Sequence, residues 1–76
     1  MIPLPPFRLV TAPSDARVAS IVTPGATVSA GDVVAVLDVP RGRVPVVAPV
    51  PGRVGGTLTA TRQSVASGDG IVWIEA

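Results

Sequence analysis

Apolar and polar positions along this chain never settle into a helical period. No window carries apolar residues at i, i+3, i+4 and i+7 without a proline or glycine intervening, so helix is not expected anywhere. Short runs rich in β-branched residues alternate instead with turn signals. Val10–Ala12 is extended up to Pro13, which disfavours helix at the residue before it. Arg17–Thr23 reads as a strand ended by Pro24-Gly25, and Thr27-Val28 as a brief segment ended by Ala30-Gly31. Val33–Val39 is the longest strand of this half. Pro40-Arg41-Gly42 then separates it from the apolar segment Arg43–Val47. Proline second and glycine fourth in a turn beginning at Val39 fit type I, which puts Arg41 at the exposed apex of a β-hairpin. Pro45 has no N–H to donate, so its strand should lie at an edge or turn that position outward.

The pattern occurs twice. Val10-Thr11-Ala12-Pro13-Ser14-Asp15-Ala16-Arg17-Val18 returns thirty-six residues later as Val46-Val47-Ala48-Pro49-Val50-Pro51-Gly52-Arg53-Val54. Val28-Ser29-Ala30-Gly31-Asp32 returns thirty-seven later as Val65-Ala66-Ser67-Gly68-Asp69, and Val34–Asp38 is echoed in Ile71–Glu75. One single-residue gap near Gly25 reconciles the two offsets. Halves of about thirty-five residues cannot each bury a core, so they are expected to pack face to face about a quasi-twofold axis. The expected fold is all-β: a flattened eight-stranded sandwich or barrel, with a Pro-rich arm at residues 1–9, one domain at 10–76, and repeat halves at about 10–39 and 43–76.

Composition agrees and then excludes. With 47% of residues hydrophobic and 14% charged, the 76-residue chain is globular rather than disordered. It has no Cys and no His, which removes disulfides, thiolate chemistry, zinc ribbons and the commonest general base. The carboxylates Asp15, Asp32, Asp38, Asp69 and Glu75 form no metal-loop pattern, so no metal is expected. A net charge of +1 with scattered arginines argues against nucleic acid, and no apolar run approaches the ~18 residues of a membrane span. The start, Met1-Ile2-Pro3-Leu4-Pro5-Pro6-Phe7, lacks the basic flank of a signal peptide; Pro3–Pro6 reads as an extended arm or a polyproline-type ligand. The expectation is a cytoplasmic, non-enzymatic domain. Absence of Lys, Asn and Tyr beside abundant Ala, Val, Gly, Pro and Arg suggests a GC-rich bacterial source.

Individual side chains mostly carry structural expectations. Asp32 and Asp69 follow glycines in equivalent turns, where a carboxylate accepts backbone N–H bonds. Arg17 and Arg53 are repeat-equivalent and are expected at salt-bridged or solvated surface positions. Trp73, equivalent to Val36, is expected in the core, with an exposed docking aromatic as the alternative. Gly55-Gly56 marks a bulge or a close backbone approach. Thr57, Thr59 and Thr61 alternate as a strand face would, while Arg62-Gln63 suggests a looser loop over Thr57–Ser64. Arg41 and Arg43 together are expected to make a small basic projection at the hairpin tip.

The run Pro24–Asp38, with its Gly-containing turn, Gly31-Asp32 turn and apolar strand ending in an acidic residue, resembles the biotinyl/lipoyl carrier domains. So does Val47-Ala48-Pro49-Val50-Pro51-Gly52, at the family's spacing from Gly31; the likeness covers Val10 to Glu75. The resemblance implies a barrel-sandwich hybrid, with a lysine at the hairpin apex that takes biotin or lipoate through an amide. Here the apex triplet is Pro40-Arg41-Gly42, and the chain contains no lysine. A guanidinium is cationic and delocalised, and does not accept an activated acyl group as an amine does. No cofactor is therefore expected. The docking candidates are Pro40, Arg41, Gly42 and Arg43. By resemblance, the partner would be an acyltransferase related to those of 2-oxo-acid dehydrogenase complexes. The alternative is a structural module of a larger assembly such as a carboxylase or a membrane-fusion complex, although the latter normally inserts a helical hairpin for which Pro40-Arg41-Gly42 leaves no room.

Overall fold

The computed structural model describes residues 7–75. Eight strands run in the order β1 (Phe7–Thr11), β2 (Ala16–Ile21), β3 (Thr27–Val28), β4 (Val33–Val39), β5 (Gly42–Val47), β6 (Gly52–Thr57), β7 (Ser64–Val65) and β8 (Gly70–Glu75). The described residues contain no helix. The first strand begins at Phe7 rather than Val10: Phe7, Arg8 and Leu9 pair with Glu75, Ile74 and Trp73. Pro3–Pro6 lies outside the described residues.

Two antiparallel four-stranded sheets form a flattened sandwich. Sheet A has the order β1-β8-β6-β3 and sheet B the order β5-β4-β2-β7. Advancing each strand of sheet A by half the molecule (β1 to β5, β8 to β4, β6 to β2, β3 to β7) reproduces sheet B, so the sequence repeat is a topological one. Hydrogen bonds between the halves are exchanged in the same way. Gly25 N–H donates to the Val54 carbonyl, and Arg62 N–H to the Val18 carbonyl, each at 2.7 Å. Gly31 N–H donates to Ala48 and Gly68 N–H to Ala12, each at 2.8 Å. Each half thus completes the turns of the other.

The core is built from equivalent positions of both halves. Val10 and Val46, Ala12 and Ala48, Val18 and Val54, Val28 and Val65, and Leu37 and Ile74 are all buried between the sheets. β-branched side chains suit these half-buried pleated strands. Complete burial of each such side chain stabilises by about 1.5–3 kcal/mol. Asp32 and Asp69 act as expected: each Oδ2 accepts a backbone N–H three residues back, from Ser29 and Ala66, at 2.8 Å.

Three expectations are corrected. Trp73 does not join the core; it alternates with the buried Val72 and Ile74 and lies half-buried on the outer face of sheet A. The Thr57–Ser64 segment is a closed turn rather than a loose loop. Gln63 N–H donates to the Ala60 carbonyl, and Gln63 Oε1 accepts from Ala60 N–H, both at 3.0 Å. Of the three threonines only Thr57 is on a strand, because β6 ends there.

Candidate functional site

The hairpin of β4 and β5 is in register to its tip, with Asp38 opposite Arg43 and Val39 opposite Gly42, so Pro40 and Arg41 alone form the loop. Proline fixes a negative φ at the first loop position, which rules out the mirror-image turns that two-residue hairpins prefer. The positive φ needed to close the strands falls instead on Gly42, at +135°. Pro40, Arg41 and Gly42 are all exposed. Pro45 lies on β5, an edge strand of sheet B, where its missing N–H leaves no inner ladder bond unmade.

The tip is less basic than the sequence suggests. Arg43 Nε donates to Oδ1 of its cross-strand neighbour Asp38 at 3.0 Å. This side chain is thereby tied to a carboxylate of the neighbouring strand. The pair is solvent-exposed and contributes at most about 1 kcal/mol. Among the described residues the other ion pair is Arg53–Glu75 at 3.8 Å, so Arg41 is in neither.

Arg43 belongs instead to a groove of about 510 Å3 on the outer face of sheet B. Arg17, Asp38 and Arg43 stand in one row across β2, β4 and β5. Arg62 closes the groove from the turn before β7, and Val18 and Ala19 also line it. Arg17 Nε donates to the Arg62 carbonyl at 3.0 Å, tying the row to that turn. Three arginines and one carboxylate therefore line the groove.

The corresponding face of sheet A has a different chemistry. Phe7 stands opposite Glu75 as Arg43 stands opposite Asp38, and Phe7, Leu9, Leu58 and Trp73, with Glu75 beside them, line a mainly apolar depression of about 330 Å3. Gly55 and Gly56 make this possible. The register slips between Val54 and Gly56, and a Cβ on either glycine would fall on the Trp73 indole. Of the two sequence expectations for this pair the bulge holds, while the close approach is made by the Trp73 side chain rather than by a backbone. In the first half the same bulge carries Ala19 and Ser20 against the smaller Val36. The two halves share a core and differ on their outer faces.

The sequence places Arg17 at a salt-bridged or solvated surface position and Arg62 in a looser loop, and assigns neither to a site. A signal for Arg62 lies in the repeat: it occupies the place of Gly25, so a non-glycine takes a left-handed turn.

A duplicated sandwich with a two-residue hairpin at the junction of its halves is the architecture of a carrier-type domain. The biotin/lipoyl family, described as "Biotin-requiring enzyme", matches residues 8–74, and the chain belongs to that family. Its structure is similar to part of a single-chain, multi-domain long-chain acyl-CoA carboxylase, with a TM-score of 0.88 and 24% identity over 99% of this chain. It is also similar to part of the urea carboxylase of Kluyveromyces lactis, with a TM-score of 0.84 and 23% identity over 97% of this chain. The chain spans only 8% and 7% of the lengths of those two proteins. No curated protein matches it significantly.

The prosthetic group that the family implies does not fit the residues present. Attachment needs a primary amine at the apex, and the apex side chains here are the ring of Pro40 and the guanidinium of Arg41. No lysine occurs elsewhere in the sequence to take the role.

Proposed function

We propose that this chain is a non-catalytic biotinyl/lipoyl-type module that cannot be acylated and works by docking onto a partner protein. The observation that carries this reading is Arg41 at the apex of an otherwise intact carrier hairpin, in a chain without lysine. Partner enzymes of carrier domains recognise a folded surface as well as the attached arm. A module that keeps the surface and lacks the amine retains the docking half of that function. The partner is an acyltransferase related to those of 2-oxo-acid dehydrogenase complexes; the support for this identity is family resemblance alone. Affinity capture with the full chain, followed by identification of the retained proteins, tests it. Retention of an acyltransferase supports the reading, and absence of any acyltransferase or carboxylase overturns it.

A second reading is a structural module of a carboxylase. The match to the family of biotin-requiring enzymes and the likeness to domains of two carboxylases favour it. Capture of a carboxylase subunit instead of an acyltransferase would decide for it. The membrane-fusion alternative is disfavoured by the hairpin, which turns in two residues and holds no inserted helical arm.

A further inference from the structure

The arginine groove on sheet B is not demanded by the fold. The quasi-twofold partner of Arg43 is Phe7; Arg17 and Asp38 keep counterparts in Arg53 and Glu75, but at the places of Arg43 and Arg62 sheet A has Phe7 and Gly25. Identical topology thus supports either surface.

Arg62 makes the same point more sharply. Its φ is +74°, the only positive value at a non-glycine among the described residues. Gly25, its equivalent, has φ +92° and donates the equivalent hydrogen bond. The fold needs a left-handed residue at both positions, and glycine meets that need without strain. At position 62 an arginine stands in the strained conformation, at the wall of the groove. Strain retained where glycine would remove it points to a use for the side chain.

Resting on the docking role above, we propose that this groove, rather than the hairpin tip, binds an acidic segment of the partner protein through Arg17, Arg43 and Arg62. Planar guanidinium forks pair with carboxylates in two-point fashion. Arg17 and Arg43 are two strands apart, about 10 Å between backbones. That spacing suits several carboxylates along an extended chain better than one small anion. The groove is open to solvent and its arginines are exposed, as a surface for a polypeptide segment requires. No aromatic side chain lines it, so it offers no stacking platform for nucleic-acid bases.

The test is a titration of the isotopically labelled full chain, followed by amide NMR shifts, with hexaglutamate, inorganic phosphate and an oligothymidylate as separate ligands. Hexaglutamate is expected to shift the amides of Arg17–Ala19, Arg43 and Thr61–Arg62, and to bind about tenfold tighter than phosphate. Arg62→Gly suits the local backbone, so the fold is kept, and it is expected to weaken the peptide about fivefold or more. Arg17→Gln is expected to act in the same direction, and Arg41→Ala to leave binding unchanged. Shifts centred on Pro40 and Arg41, indifference to Arg62→Gly, or tighter binding of phosphate or the oligonucleotide would each overturn the proposal. Partner capture separates the two levels. A partner held equally by wild type and Arg62→Gly leaves docking standing and removes the groove. No partner held by wild type removes docking, while the peptide titration still reports on the groove.

Discussion

The indole of Trp73 occupies the space above Gly56 that any larger residue there would need. A Cβ on Gly56 would fall on the six-membered ring, and one on Gly55 would fall on Nε1. The first half solves the same packing problem with Val36 against Ala19 and Ser20, so bulk has been exchanged between facing strands.

Gly56→Ala should therefore destabilise the domain by about 1–3 kcal/mol, the usual cost of overpacking. Trp73→Val in the same chain should recover most of that loss by restoring the first-half arrangement. Urea unfolding of the single and double variants checks both, and additive losses would contradict the exchange.

Arg62→Gly should raise stability by about 0.5–1 kcal/mol. Relief of a left-handed non-glycine residue is worth about 1–2 kcal/mol, and the added freedom of the unfolded glycine takes back part of it. The carbonyl that holds Arg17 is retained, so no compensating bond is lost. A melting temperature below that of wild type would count against the strain.

These two sites show what could be read from the chain beforehand and what could not. The repeat, the Gly-Asp turns and the central hairpin were legible because turn chemistry and β-branched runs are local signals. The side of the sheet taken by Trp73 was not. In a strand whose neighbours on both sides are apolar, burial does not follow from hydrophobicity, and only the pairing with Gly55-Gly56 decides it. The start of β1 at Phe7 was missed because its partner, β8, lies more than sixty residues away in sequence. The groove was missed because its arginines come from β2, β5 and the turn before β7, and meet only once the halves pack.

Leu37 and Ile74 are equivalent and fully buried. Leu37→Ala and Ile74→Ala should each cost about 2–5 kcal/mol, and by similar amounts. Chemical denaturation checks this, and a marked difference between the two would show that the halves contribute unequally to the core.

Thr59 carries a buried hydroxyl oxygen with no hydrogen-bond partner. Thr59→Val keeps the shape and removes the unsatisfied group, so stability should stay the same or rise by up to about 1 kcal/mol. A loss of stability on thermal unfolding would mean that the hydroxyl is satisfied in solution.

The central claim is a carrier fold without carrier chemistry, and the most direct test is the intact mass of the purified chain. It should be incubated with ATP and, in separate reactions, a biotin ligase with biotin and a lipoate ligase with lipoate, beside a lysine-bearing carrier domain. The account predicts an unchanged mass in both reactions while the control domain is converted. A biotinyl or lipoyl increment on this chain would contradict it.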